Sequence, residues 1–143
     1  RCECGNIGCL EALIGTHALQ QSWYDLKSTE RSTMLTTSTP TPQQIFEAAA
    51  AGEPLATAVV QRFARYLGAG IVTMIHAYDP DVVVLGGGIM HSYKQFLPPV
   101  QAYVNEHAWT IPRGRVRIVP AALGDAAALI GIAVLACQPA PLL

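Results

Sequence analysis

The chain has 143 residues, 51% apolar and 13% charged, with a net charge of −1. That length suits one domain with a large core, and near-neutrality excludes function through a basic stripe for nucleic acid or an acidic tail. Three of the four cysteines fall at positions 2, 4 and 9, unlike the dispersed bridges of a secreted framework, so a cytoplasmic setting is expected.

The chain opens on RCECGNIGCLE. Thiols spaced C-x-C-x4-C can close one disulfide and leave one over, or hold a metal. Gly5 and Gly8 permit the tight reversal that would bring three thiolates to one tetrahedral ion at about 2.3 Å. Of His17, His76, His91 and His107, none has zinc-like spacing, and His17 is the nearest in sequence. The periodicity of Leu13, Ile14, Leu19, Trp23 and Leu26 predicts one helix over Leu10–Leu26, with Glu11 in its first turn. Residues 27–42, rich in Ser, Thr and Pro, read as an exposed loop.

Thr41, Pro42 and Gln44 have the spacing of a capping box and predict a helix to Ala51, ended by Gly52. Pro54 opens a longer helix to about Ala77. Leu55, Val59, Phe63, Leu67, Ile71, Met74, Ile75 and Tyr78 form its expected apolar face. Gly68 and Gly70 weaken that helix, which close packing against another element would offset.

In DPDVVVLGGGIM, Asp79-Pro80-Asp81 is turn chemistry, and Val82–Leu85 is a β-branched run expected to be a strand buried on both faces. Gly86, Gly87 and Gly88 follow. A capping box at Ser92–Gln95 then opens a helix that Pro98-Pro99 should interrupt. Strand, glycine loop and helix let backbone N–H groups approach an anion, but the spacing is neither a Rossmann nor a Walker pattern. Nucleotide contact and a merely tight turn both stay open. Val116–Pro120 is the second strand, and Asp125 is a cap for a buried helix over Ala126–Ala136. That apolar run is too short to cross a bilayer. Cys137 reads as a small buried residue. Two strands cannot cover so many apolar helices, so the sheet is expected to be incomplete.

CECGNIGCLE resembles the signature C-x-C-G-x-x-G-C-x-E of the ROK family, bacterial sugar kinases and sugar-responsive repressors built on the actin-like ATPase (ribonuclease H-like) fold. DPDVVVLGGGIM is similar to the family's late strand and glycine turn on the adenosine side of its nucleotide cleft, and GDAAALIGIAVL to its closing helix. The resemblance implies an α/β, helix-rich C-terminal part of such a protein over residues 1–143. Residues 1–11 would be a zinc loop, and residues 82–136 the nucleotide-side strand, turn and closing helix.

Carried over, the resemblance makes Cys2, Cys4 and Cys9 ligands of a structural zinc whose fourth ligand precedes Arg1. It has Glu11 hydrogen-bonding sugar hydroxyls, and sets Gly86, Gly87 and Gly88 beside the adenosine of Mg-ATP. No catalytic residue is expected here, because the family's phosphate loop and catalytic aspartate lie in a missing N-terminal half. The implied function is ATP-dependent phosphorylation of an aldohexose or N-acetylhexosamine hydroxyl, of the glucokinase or N-acetylmannosamine kinase kind, by a homo-oligomer without membrane attachment. The alternative is the effector domain of a ROK repressor, with DNA binding supplied upstream; a zinc-stabilised interaction fragment is a third, blander class. Many relatives have Ser-Gly four and five residues after the glutamate, where this chain has Gly15-Thr16.

Overall fold

A computed structural model describes residues 1–27 and 39–137. The described residues form six α-helices and a two-stranded parallel sheet: α1 (Glu11–Ile14), α2 (Thr16–Lys27), α3 (Pro42–Ala50), α4 (Pro54–Tyr78), β1 (Val82–Leu85), α5 (Tyr93–His107), β2 (Arg117–Pro120) and α6 (Ala127–Cys137). The register pairs Val82 with Arg117 and Leu85 with Pro120. A 3-10 turn, Gly88–Ser92, joins the glycines to α5.

Local chemistry accounts for several of these boundaries. The Thr41 hydroxyl accepts from the Gln44 N–H at 3.2 Å, and the Gln44 carboxamide oxygen accepts from the Thr41 N–H at 2.8 Å, so the expected capping box opens α3. Gly52 follows the helix at φ +85°, a region that favours glycine. The Glu53 carboxylate caps α4 by accepting from the Ala56 N–H, a role its sequence position did not advertise, and is almost fully buried. After α4, Asp79 turns left-handed, and Arg115 pairs with its carboxylate at 3.1 Å and with that of Asp81 at 3.6 Å. This fastens the turn before β1 to the approach to β2.

The core gathers on α4. Leu55, Val59, Phe63, Leu67, Ile71 and Ile75 are buried at a spacing of four, and Phe63 packs edge-on to Phe46 of α3 at 5.6 Å and to Phe96 of α5 at 5.2 Å. Met74 and Tyr78, expected on the same face, are exposed. They belong to the neighbouring row at the C-terminal end, and α4, 25 residues and so about 37 Å long, outruns α5 by some ten residues. The two helix glycines mark close approaches. A Cβ at Gly68 would lie 2.6 Å from Tyr103 Cδ1 on α5, and one at Gly70 would lie 2.6 Å from Leu10 Cδ2.

Other expectations are corrected. The helix over Leu10–Leu26 is broken at Gly15, whose extended ψ of 171° ends α1. The box at Ser92 does not form, because Ser92 sits inside the 3-10 turn with no capping hydrogen bond. Pro98 and Pro99 do not interrupt α5. Pro98 and Pro99 take the N–H partners from the Lys94 and Gln95 carbonyls; Pro98 and Lys94 are exposed and Gln95 and Pro99 half-buried, so water can reach that side, while Phe96, Val100 and Val104 anchor the opposite one.

β1 is open on one side, with Val84 61% exposed. No residue of α6 is buried: Leu129 is 73% and Leu135 68% exposed, and Cys137 is exposed as well. Nothing among the described residues covers these surfaces. Of the expected loop, residues 28–38 lie outside the described residues; at its end, Pro40 is buried and Thr39 hydrogen-bonds Tyr24 at 2.6 Å. The Asp125 side chain also lies outside them. No described helix is long and apolar enough to cross a membrane.

Gly68→Ala tests the α4–α5 contact. Alanine gains about 1 kcal/mol in helix propensity, but Tyr103 cannot swing clear, because its own Cβ would be 3.1 Å from the new methyl. Overpacking should win and lower stability by about 1 to 2 kcal/mol, read as a lower midpoint in urea denaturation.

Candidate functional site

The first eleven residues fold into two reversals. The Cys2 N–H donates to Asn6 O at 2.8 Å and the Gly5 N–H to Cys2 O at 2.9 Å, with Gly5 and Gly8 both at positive φ. The loop thereby brings the Sγ atoms of Cys2, Cys4 and Cys9 within 4.8 Å of one another, with Cys4 and Cys9 at 3.6 Å. Thiolates around one tetrahedral zinc stand about 3.8 Å apart, so the trio suits a single soft divalent ion. All four cysteines are free thiols. Among the described residues no histidine joins the cluster, so His17, exposed on α2, is not its fourth ligand here.

The thiols differ in acidity. The backbone N–H of Asn6, and then hydrogen bonds from the Cys2 and Cys9 thiols, hold the Cys4 thiol below its ordinary range. The Cys9 thiol is pushed up, chiefly because it donates to Cys4, with burial and Cys2 adding to the effect.

Glu11 begins α1 directly after the loop, and the intervening Leu10 lies against α4 at Gly70. The carboxylate is exposed, with no hydrogen bond or ion pair among the described residues. It lines two cavities. One, of about 320 Å³, is shared with Cys2, Glu3, Thr16 and His17. The other, of about 370 Å³, runs to Leu85, Gly86 and Gly88, with Phe63 and Phe96 among its walls. Two stretches 75 residues apart in sequence therefore face one cleft.

The three glycines differ in their roles. Gly87 has φ +103°, a conformation L side chains rarely adopt. A Cβ at Gly86 would make only ordinary contact with Ala121, at 3.8 Å, and one at Gly88 would meet nothing within 4 Å. The His91 ring, through Nδ1, hydrogen-bonds Gly88 O at 2.8 Å and braces the turn. Gly86 and Gly87 also edge a smaller cavity of about 190 Å³, walled by Tyr93, Pro120 and Ala121. Thr16 lines both Glu11 cavities and a third of about 400 Å³, between the start of α3 and His91. The sequence carried no signal for Thr16 or His91, since neither belongs to a motif and their relevance arises only from folding.

A model of the ROK family matches residues 1–139. The chain is 30% identical over 129 residues to the DNA-binding transcriptional dual regulator NagC of Escherichia coli, covering 90% of this chain and 32% of that protein. It is 29% identical over 140 residues to a glucokinase of Aeropyrum pernix, covering 92% of this chain and 43% of that one. The crystal structure of a ROK family glucokinase from Streptomyces griseus, in complex with glucose and AMPPNP, superposes with a TM-score of 0.79 at 25% identity, over 92% of this chain and 45% of that one. The chain thus spans less than half the length of each of these relatives.

The unequal thiols give a test that needs no ligand. In metal-free protein, alkylation by iodoacetamide should set in at lower pH for Cys4 than for Cys9, because the thiolate is the nucleophile and Cys4 reaches it first. Peptide mass mapping across pH 6 to 9 (about neutral to mildly alkaline, spanning the thiol range) reads the order, and a reversed order would overturn the assignment of donor and acceptor.

Proposed function

Because the chain belongs to the ROK family, we propose that it forms the C-terminal wall of the sugar and nucleotide cleft of an ATP-dependent sugar kinase acting on an aldohexose or N-acetylhexosamine hydroxyl. The observation that carries this reading is the cavity of about 370 Å³ with Glu11 at one end and Gly86 and Gly88 at the other. An ionised carboxylate only accepts hydrogen bonds, so Glu11 is suited to adjacent sugar hydroxyls. Fixed in place, it orients the sugar toward the glycine turn, which is catalysis by positioning. Gly86 and Gly88 add no side chains of their own to that end of the cavity, and the turn's backbone would face the adenosine side of a nucleotide. Mg-ATP supplies the phosphoryl group when bound; the base that deprotonates the acceptor hydroxyl is expected outside this chain.

Cys2, Cys4 and Cys9 would hold a structural zinc. Their part is to pin the loop that delivers Glu11, since three thiols on eight residues rigidify the turn that ends where α1 starts. Free thiols suit a cytoplasmic setting.

The 30% identity to NagC favours a second reading, the ligand-sensing body of a repressor. In the full-length protein carrying this chain, ATP-dependent phosphorylation of glucose or N-acetylmannosamine supports the kinase. Absence of turnover together with sugar-dependent release from operator DNA supports the repressor.

Glu11→Gln should weaken sugar binding in the full-length protein by about 1.5 to 3 kcal/mol, the scale for a hydrogen bond to a charged group, and leave metal content unchanged. Calorimetric titration with the sugar checks it, and unaltered affinity would remove Glu11 from the site. Protein prepared without added metal should contain one zinc per chain by elemental analysis, with Cys2→Ser, Cys4→Ser and Cys9→Ser each removing most of it. A Cys4–Cys9 disulfide in freshly reduced material would overturn that prediction.

A further inference from the structure

Ser92 is a buried polar residue that the fold leaves unsatisfied. It is 6% exposed and ends the 3-10 turn after the glycines, and its hydroxyl has no hydrogen-bond partner among the described residues. Buried hydroxyls are ordinarily paired, and an unpaired one lowers stability. Ser92 lines the cavity of about 400 Å³ between the start of α3 and His91. The other polar side chains of that wall differ from it. The Thr41 hydroxyl accepts from the Gln44 N–H, the Gln43 carboxamide donates to Glu47 at 2.7 Å, and the His91 ring is bonded to Gly88 O. Thr16 is exposed.

A second donor borders the same cavity. At the start of α3, Pro42 has no N–H, the Gln44 N–H goes to the Thr41 hydroxyl, and the Ile45 N–H goes to the Thr41 carbonyl at 3.1 Å. The Gln43 N–H is left without an acceptor among the described residues, at the positive end of a nine-residue helix. Two donors from elements distant in sequence thus adjoin one cavity and call for a ligand that carries acceptors.

The rest of the lining narrows its chemistry. No Lys, Arg, Asp or Glu lines the cavity, so no side-chain charge there balances a phosphate chain, while Pro42, Phe46 and Ile89 supply apolar surface. Gly88 is shared with the cavity that runs to Glu11. A flat, uncharged ring with acceptor nitrogens on its edge meets these conditions, and a purine base is such a ring. The cavity on the other side of the glycine turn, at about 190 Å³, has about half the volume and is not lined by Ser92. We propose that Ser92 is a nucleotide-binding residue, its hydroxyl and the Gln43 N–H donating to the base of ATP on the α3 side of the glycine turn. This deepens the proposed function and rests on its reading of that turn as the nucleotide end of the cleft.

The test is calorimetric titration of the full-length protein carrying this chain with AMPPNP, adenosine, inorganic tripolyphosphate and glucose in turn. Ser92→Ala removes the hydroxyl and adds no bulk. It should weaken AMPPNP and adenosine about three- to tenfold, the scale of one neutral hydrogen bond, and leave tripolyphosphate affinity, glucose affinity and the thermal midpoint at the parent's values. Unaltered AMPPNP and adenosine affinity would overturn the proposal and leave the nucleotide reading intact. A loss shared by adenosine, tripolyphosphate and glucose would make Ser92 a structural residue, and a loss for tripolyphosphate without one for adenosine would put a phosphate in the cavity; either result overturns the proposal. A parent protein that binds glucose but neither AMPPNP nor adenosine would remove the kinase reading and this proposal together.

Discussion

One face of α4 holds the described structure together. Leu55, Val59, Phe63, Leu67, Ile71 and Ile75 form a stripe on which α2, α3 and α5 pack, and the Phe46–Phe63–Phe96 cluster closes it from the side. The two glycines of that helix extend its reach. Gly68 lets α5 approach closely enough to follow β1 and the glycine turn, and Gly70 receives Leu10, the residue between the cysteine loop and Glu11. Phe63 and Leu67 of the same helix wall the cavity that has Glu11 at one end and Gly86 and Gly88 at the other. The loop contributes direction, and α4 contributes the wall.

Two features set by neighbouring residues were readable in the sequence, though the equally local box at Ser92–Gln95 was not, because the 3-10 turn takes up Ser92. The Thr41–Gln44 box and the thiol trio depend on contacts within about eight residues, and each forms as its spacing implies; the run Val82–Leu85 forms a strand, but its pairing with Arg117–Pro120 is distant and the burial expected on both faces fails at Val84. Features that depend on what lies opposite were misread. A glycine inside a helical pattern costs about 1 kcal/mol and is easily read through, and the apolar spacing of Leu13, Ile14, Leu19 and Trp23 runs on across Gly15, so the break there was not visible. Pro98-Pro99 signals a stop only if the helix has nothing else to hold it, and Phe96 and Val100, fully buried on either side, do hold it.

α6 illustrates the same limit from the other direction. Its hydropathy predicts burial, whereas Leu129, Ile132 and Leu135 are exposed, because hydropathy says nothing of whether a covering element exists among the described residues. A helix apolar all round and a parallel strand pair with one open face are surfaces that soluble monomers rarely leave to water. The same core that is complete around α4 is therefore incomplete around β1 and α6. The relatives, each more than twice the length of this chain, are large enough to contain the missing cover.

The kinase and repressor readings share Glu11 and the thiol loop, because reading hydroxyls requires an oriented acceptor and no phosphate. They part at the glycines. Gly87 is demanded by its backbone and so is uninformative, since a tight strand-to-turn passage would need it in either protein. Gly88 is different: neither a positive φ nor a neighbour within 4 Å excludes a side chain there. Glycine there leaves that part of the lining of the cavity that runs to Glu11 without a side chain. Room beside the sugar is what the kinase reading requires for its second ligand and the repressor reading does not, so it is at Gly88 that the two readings make different demands on this chain.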